Sequence, residues 1–209
     1  MNFTAFEHWT DGWRVDSLMP NDEGLRRCKC GQFVLVRELV AIETAESSDL
    51  ARIDRVPAEL LPECIAKPRS EEVEVAARLE YWRHLNHPYR ERYRQHRDAE
   101  ERTWWDKLRG VKVPSYSRSP GAPFTFPAFQ ATDEQLQNMK RLSQILHARG
   151  TAARDGNILV LAELYREQGR FEEAELVIST IAEQDVDVTS KLIAGLIKDK
   201  KSAPVRYRM

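Results

Sequence analysis

Three cysteines and five histidines are the residues of this 209-residue chain best suited to hold a metal or move a proton. Cys28 and Cys30 flank Lys29 and precede Gly31. A turn closed by glycine can aim two thiolates at one soft divalent cation. Cys64 lies far along the chain in a proline-bounded segment, so a fourth ligand would have to be a histidine such as His8. His84 and His87, with His96 beyond, suggest a metal or acid–base pair, but Pro88 breaks the helix there. A histidine at the negative end of a helix dipole accounts for that position. Arg90, Arg92, Arg94, Arg97 and Arg102 alternate with Tyr89, Tyr93, Trp104 and Trp105, a composition able to stack on and neutralise nucleic acid. Glu91, Asp98, Glu100 and Glu101 interrupt that stripe, and Glu91–Arg94 and Asp98–Arg102 fit ordinary helical ion pairing. Glycine-rich phosphate loops, nucleophile elbows and paired-histidine metalloprotease motifs are all missing from the sequence, so no enzyme is expected.

The elements that would carry these residues fall in order. Asp11-Gly12 between aromatic-flanked segments signals a hairpin, and Gln32 to Val36 is strand-like, giving a small β-rich unit over 1–48. A helical segment follows over 49–109. Prolines confine Ala58 to Ala66 to a short helix, and Ser70 caps a longer one carrying Val75, Leu79 and Trp82 on one stripe. A further helix from Tyr89 to Leu108 would bury Tyr89, Tyr93, Trp104 and Leu108. Residues 110–131 hold four prolines and three phenylalanines, the composition of a loop that wraps the body. A C-terminal helical segment over 132–209 opens on a capping box, Thr132 with Gln135, and its first helix closes at Gly150.

Within that segment, Leu161, Ala162 and Tyr165 share one helical face, Gly169 interrupts, and Phe171, Ala174, Ile178 and Ala182 continue at steps of three and four. Small residues at 162 and 174 would let two helix backbones approach closely. Over 157–182 this spacing resembles a single tetratricopeptide repeat. The resemblance implies a protein-binding role, with Leu159, Glu163, Arg166 and Glu167 lining the groove. Cys28-x-Cys30-Gly31 likewise resembles half of a zinc ribbon, which makes zinc the one cofactor worth testing although none is expected. Thr10-Asp11-Gly12, the cysteine turn, Tyr81-Trp82-Arg83-x-x-Asn86 and Gly169-Arg170-Phe171-Glu172-Glu173-Ala174 together resemble small uncharacterised bacterial cytosolic proteins, some of which neutralise a cognate toxin.

Composition is globular, with 42% hydrophobic and 31% charged residues at a net charge of −1. Charge is uneven: Asp155 to Asp187 holds nine acidic residues against two arginines, a balance of −7. The segment Arg83 to Arg109 carries eight basic against five acidic, a balance of +3. An acidic end can steer a basic partner. Three cysteines give no disulfide framework, and neither a signal sequence nor a membrane span is evident, so a cytoplasmic location is expected. The expected fold is therefore mainly α with a small N-terminal β unit and a helical body ending in a repeat-like helical hairpin. The expected function is non-enzymatic protein binding, specifically an immunity protein meeting a basic toxin through an acidic surface that includes Glu172. A nucleic-acid-associated factor using the arginine helix and a zinc-dependent enzyme are the alternatives.

Overall fold

The computed structural model describes residues 5–16, 24–40, 53–100, 104, 108, 128–150 and 155–207. It is mainly α, with two small antiparallel sheets. The Pro-rich stretch expected to wrap the body lies outside the described residues up to 127, as do the side chains of His96, Arg97, Arg102 and Trp105.

Strands β1 (Ala5–Trp9) and β2 (Arg14–Asp16) form the expected hairpin. Its turn is held by Asp11, whose Oδ1 accepts from the Trp13 amide at 3.0 Å, and by Gly12 at a φ of +75°. A side chain at 12 would be strained by that angle, and its Cβ would also meet Arg83 Nη2 at 3.0 Å. Strands β3 (Leu25–Cys28) and β4 (Phe33–Leu35) form a second hairpin around the cysteine turn. Two pairings carry the β structure past the boundary expected at residue 48. β5 (Ile53–Arg55) joins the free edge of β3, and β6 (Arg206–Tyr207) joins β1 from the far end of the sequence.

Helix α1 (Leu61–Ala66) continues a 3-10 turn at Ala58–Leu60. Helix α2 (Glu71–Leu85) begins at Ser70, whose side chain accepts from the Val73 amide at 3.2 Å. This helix buries two faces. Val73 and Ala77 pack with Leu25, Phe33, Leu35, Leu61 and Cys64, while Val75 and Trp82 enter the helical core. Helix α3 (His87–Glu100) follows directly and buries Tyr89 and Tyr93 against Trp9. Its expected apolar continuation fails: Trp104 and Leu108 are 63% and 61% exposed.

Helix α4 (Asp133–Ala148) opens on the capping box, with Thr132 Oγ1 accepting from the Gln135 amide and Gln135 Oε1 accepting from the Thr132 amide. Helices α5 (Asp155–Glu167) and α6 (Phe171–Ile178) pack as a hairpin in which Ala162 and Ala174 are fully buried. Gly169, at φ +75°, makes the left-handed turn between them: its amide bonds Arg166 O and the next amide bonds Tyr165 O. The second helix stops at Ile178, short of the expected Ala182, which is exposed. Helix α7 (Val188–Lys198) starts from Asp187, a side-chain cap to the Ser190 amide at 2.7 Å, and covers the hairpin with Ile193 and Ile197. Among the described residues no helix is long and apolar enough to cross a membrane.

Candidate functional site: a buried polar centre and its surface surroundings

A dense polar cluster lies inside the molecule, where the β1–β2 turn, the α2–α3 junction and α5 meet. Asp11, Trp82, Asn86, Arg90, Glu163, Arg166 and Glu167 are each at most 2% exposed. Asn86 caps α2, and its side-chain amide donates to Asp11 Oδ2 at 3.1 Å and to Glu167 Oε2 at 3.0 Å. Trp82 Nε1 donates to the same Glu167 oxygen at 2.7 Å. Gln135 Nε2 donates to Asn86 Oδ1 and to Leu85 O, both at 3.0 Å, which ties the capping box of α4 into the network. Arg90 forms an ion pair with Asp11 and donates to Arg83 O. Its guanidinium lies 4.8 Å from the Trp13 ring. One turn along α5, Arg166 Nε donates to Glu163 Oε2 at 2.7 Å, and Nη1 reaches Lys201 O beyond α7.

Charge within this centre does not balance. Three carboxyls (Asp11, Glu163, Glu167) face two guanidinium groups (Arg90, Arg166). Burial, reinforced by Glu163 and Asp11, holds the Glu167 carboxyl well above the usual carboxylate range. Burial also raises Asp11, against the pull of Arg90. Desolvation lowers Arg90 below its ordinary value, with Asp11 opposing. Burial works against the Arg166 cation as well, but Glu163 outweighs it and Arg166 rises. A proton on Glu167 makes two acids face two bases, the neutral arrangement that a dry interior favours.

The sequence-derived binding positions therefore divide. Glu163, Arg166 and Glu167 are buried, Leu159 packs partly buried against the helical core, and Glu172 is exposed. The face of α5 expected to line an open groove is instead covered by the chain's own β1–β2 turn, its α2–α3 junction and the segment around Lys201. Buried charges of opposite sign have found each other there, so these three residues are no part of the free surface.

The cysteines also separate. Cys28 and Cys30 share the β3–β4 turn, where the Cys30 amide approaches Cys28 Sγ at 3.5 Å. The hydrogen bond with Cys28 lowers the Cys30 thiol below its ordinary value. Cys64 is buried beneath α2 with its thiol pushed up to about 11 by burial and by Glu63. His8 sits in the other sheet and packs against Tyr207. Among the described residues no three histidine, cysteine or acidic side chains gather as metal ligands. Two arginines of α3 are engaged by the chain's own acids, Arg90 by buried Asp11 and Arg94 by Glu7 at 2.9 Å and Glu91 at 3.1 Å, whereas Arg92 is exposed.

The surface holds two features of note. On α6, Glu172, Glu175, Leu176 and Ser179 recur at helical spacing and are all exposed, opposite the buried Ala174 and Val177. Between the two sheets, a cleft of about 920 Å³ is lined by the β1–β2 turn, β3, β5 and the ends of α2 and α3. His84 and His87, both exposed, stand on its rim. The cleft was not legible beforehand, since strands and helices far apart in sequence form it, whereas Glu172 of the α6 face was expected at a binding surface. No protein family, curated protein or solved structure matches the chain.

Proposed function

We propose that this chain is a non-enzymatic binding protein for a basic protein partner, and that neutralising a cognate bacterial toxin in the cytosol is the specific form of that role. The observation that carries the reading is the outer face of α6. Leu176, a large aliphatic side chain, is 69% exposed, next to Glu175 in the chain and one turn from Glu172. The chain continues through the exposed acids Asp185 and Asp187 to Val188, itself 63% exposed. An apolar contact set among carboxylates matches an interface with an apolar centre and a charged rim, and the acids would hasten encounter with a basic surface. Glu163 and Glu167, being internal, are not part of it.

Co-expression with a basic nuclease toxin encoded beside the gene tests the proposal. A stable complex is expected. Leu176→Asp combined with Glu172→Lys and Glu175→Lys should weaken it by about a hundredfold, as expected when an apolar anchor and its rim are both lost. The three positions are exposed, so circular dichroism should stay unchanged. A complex of undiminished affinity in the triple variant would remove α6 as the interface.

A further inference from the structure

The cysteine turn carries two thiols that the α6 surface does not involve. Lys29, Cys30 and Gly31 join β3 to β4, and the Cys28 amide donates to Gln32 O at 2.8 Å. The Gly31 amide donates in turn to Cys28 O at 2.8 Å. Those two bonds close the turn on Cys28, which is half-buried, and leave Cys30 exposed at its tip. The two residues are in contact. The Cys30 amide lies 3.5 Å from Cys28 Sγ, and a hydrogen bond with the Cys28 side chain holds the Cys30 thiol below its ordinary value. Cys64 is the opposite case, buried and with a thiol pushed up to about 11, so it stays protonated and out of reach. A second cleft, of about 590 Å³, begins at Gly31, the residue bonded to Cys30. Its lining sets Lys67 and Arg69 against Glu63, all three exposed and none in an ion pair among the described residues. Lys29, also exposed, adds a cation at the turn itself.

We propose that Cys28 and Cys30 form a thiol–disulfide exchange site for a small anionic disulfide of the oxidised-glutathione type. Cys30, the exposed sulfur, attacks as its thiolate. It bonds one sulfur of the reactant, the reactant's S–S bond breaks, and one half leaves as a thiol carrying the Cys30 proton. Cys28 then gives up its proton and attacks Cys30 Sγ. The mixed disulfide breaks, and the second half leaves as a thiol carrying that proton. Two electrons pass from the protein dithiol to the reactant, leaving a Cys28–Cys30 bridge and two small thiols. The cleft beside Gly31 receives the body of the reactant, whose carboxylates suit the surplus of cations there. In reducing surroundings such a pair rests as the dithiol, and an exposed bridge is readily reduced again. The site is independent of the α6 surface.

Mass spectrometry of the whole chain after incubation with oxidised glutathione at neutral pH, acid quenching and peptide mapping decides the matter. The wild type should lose two hydrogens, mapped to a Cys28–Cys30 bridge, with Cys64 still a free thiol. Dithiothreitol should reverse the change. Cys28→Ser should stop at one glutathione on Cys30, because the second attack has lost its sulfur. Cys30→Ser should react about tenfold more slowly than the wild type. Cystamine, a cationic disulfide, should react about threefold more slowly than oxidised glutathione when each rate is referred to that with a free cysteine peptide. A wild type left unmodified, or modified at Cys64 instead, overturns the proposal. A wild type that accumulates the glutathione adduct without a bridge overturns it too, as does a Cys30→Ser rate equal to the wild-type rate. Cystamine reacting as fast as oxidised glutathione overturns the anionic preference. Mapping of the wild type needs no variant, so the test stands should either serine variant fail to fold.

Discussion

Glu167 shows how one side chain acquires a role that its own sequence neighbourhood does not announce. It takes hydrogen bonds from Trp82 and Asn86, while its nearest acidic neighbours, Glu163 and Asp11, disfavour its ionisation. Because the folded state raises this carboxyl above the ordinary 4.5, the folded protein keeps a proton that the unfolded chain releases. Its stabilising contribution is complete below that ordinary value and declines as pH climbs through the raised range; Asp11 adds a trend of the same sign. Urea unfolding across this interval should therefore show stability falling with pH in the wild type and a flatter profile in Glu167→Gln. Parallel profiles would mean that Glu167 is ionised in the folded state. Glu163, Arg166 and Glu167 were expected at an open groove because the repeat resemblance places those first-helix positions there, and charge is seldom buried. The one signal available in the sequence was the Glu163–Arg166 spacing of three, which allows internal pairing.

At the scale of elements, local chemistry was readable wherever it was self-contained. Ser70, the Thr132–Gln135 capping box and the Asp11-Gly12 turn stand where their residue types require, since each motif closes within four residues. Helix α2 was harder. A single stripe was expected of it, but a helix between two cores must bury Val73 and Ala77 on one side and Val75 and Trp82 on another. The end of α7 holds a feature that periodicity cannot show. Lys200 has a φ of +52°, and the next amide bonds Leu196 O, as a glycine-type helix stop would. A left-handed non-glycine residue costs about 1 kcal/mol, so Lys200→Gly should raise stability by somewhat less than that, the added chain entropy offsetting part of the gain. Denaturant midpoints compare the two directly. The same substitution logic reversed at the hairpin turn predicts that Gly169→Ala destabilises by about 1 kcal/mol.

Across the whole molecule, the feature least visible in the sequence is the return of the last strand to the first. Two residues are too few to carry a period, yet β6 pairs with β1 and Val205 exchanges bonds with Thr10. Removing 203–209 should therefore strip cover from Trp9, which is buried with Tyr89, Tyr93 and Ala203, and shift tryptophan emission to longer wavelength while leaving most helical ellipticity in place. Unchanged emission would mean that the sheet holds without its third strand. The Thr10–Val205 contact also spans 195 positions, a loop whose closure is slow to nucleate. Until that closure the outer edge of β1 at His8 and Trp9 is unpaired, a row of backbone donors and acceptors that another strand can occupy.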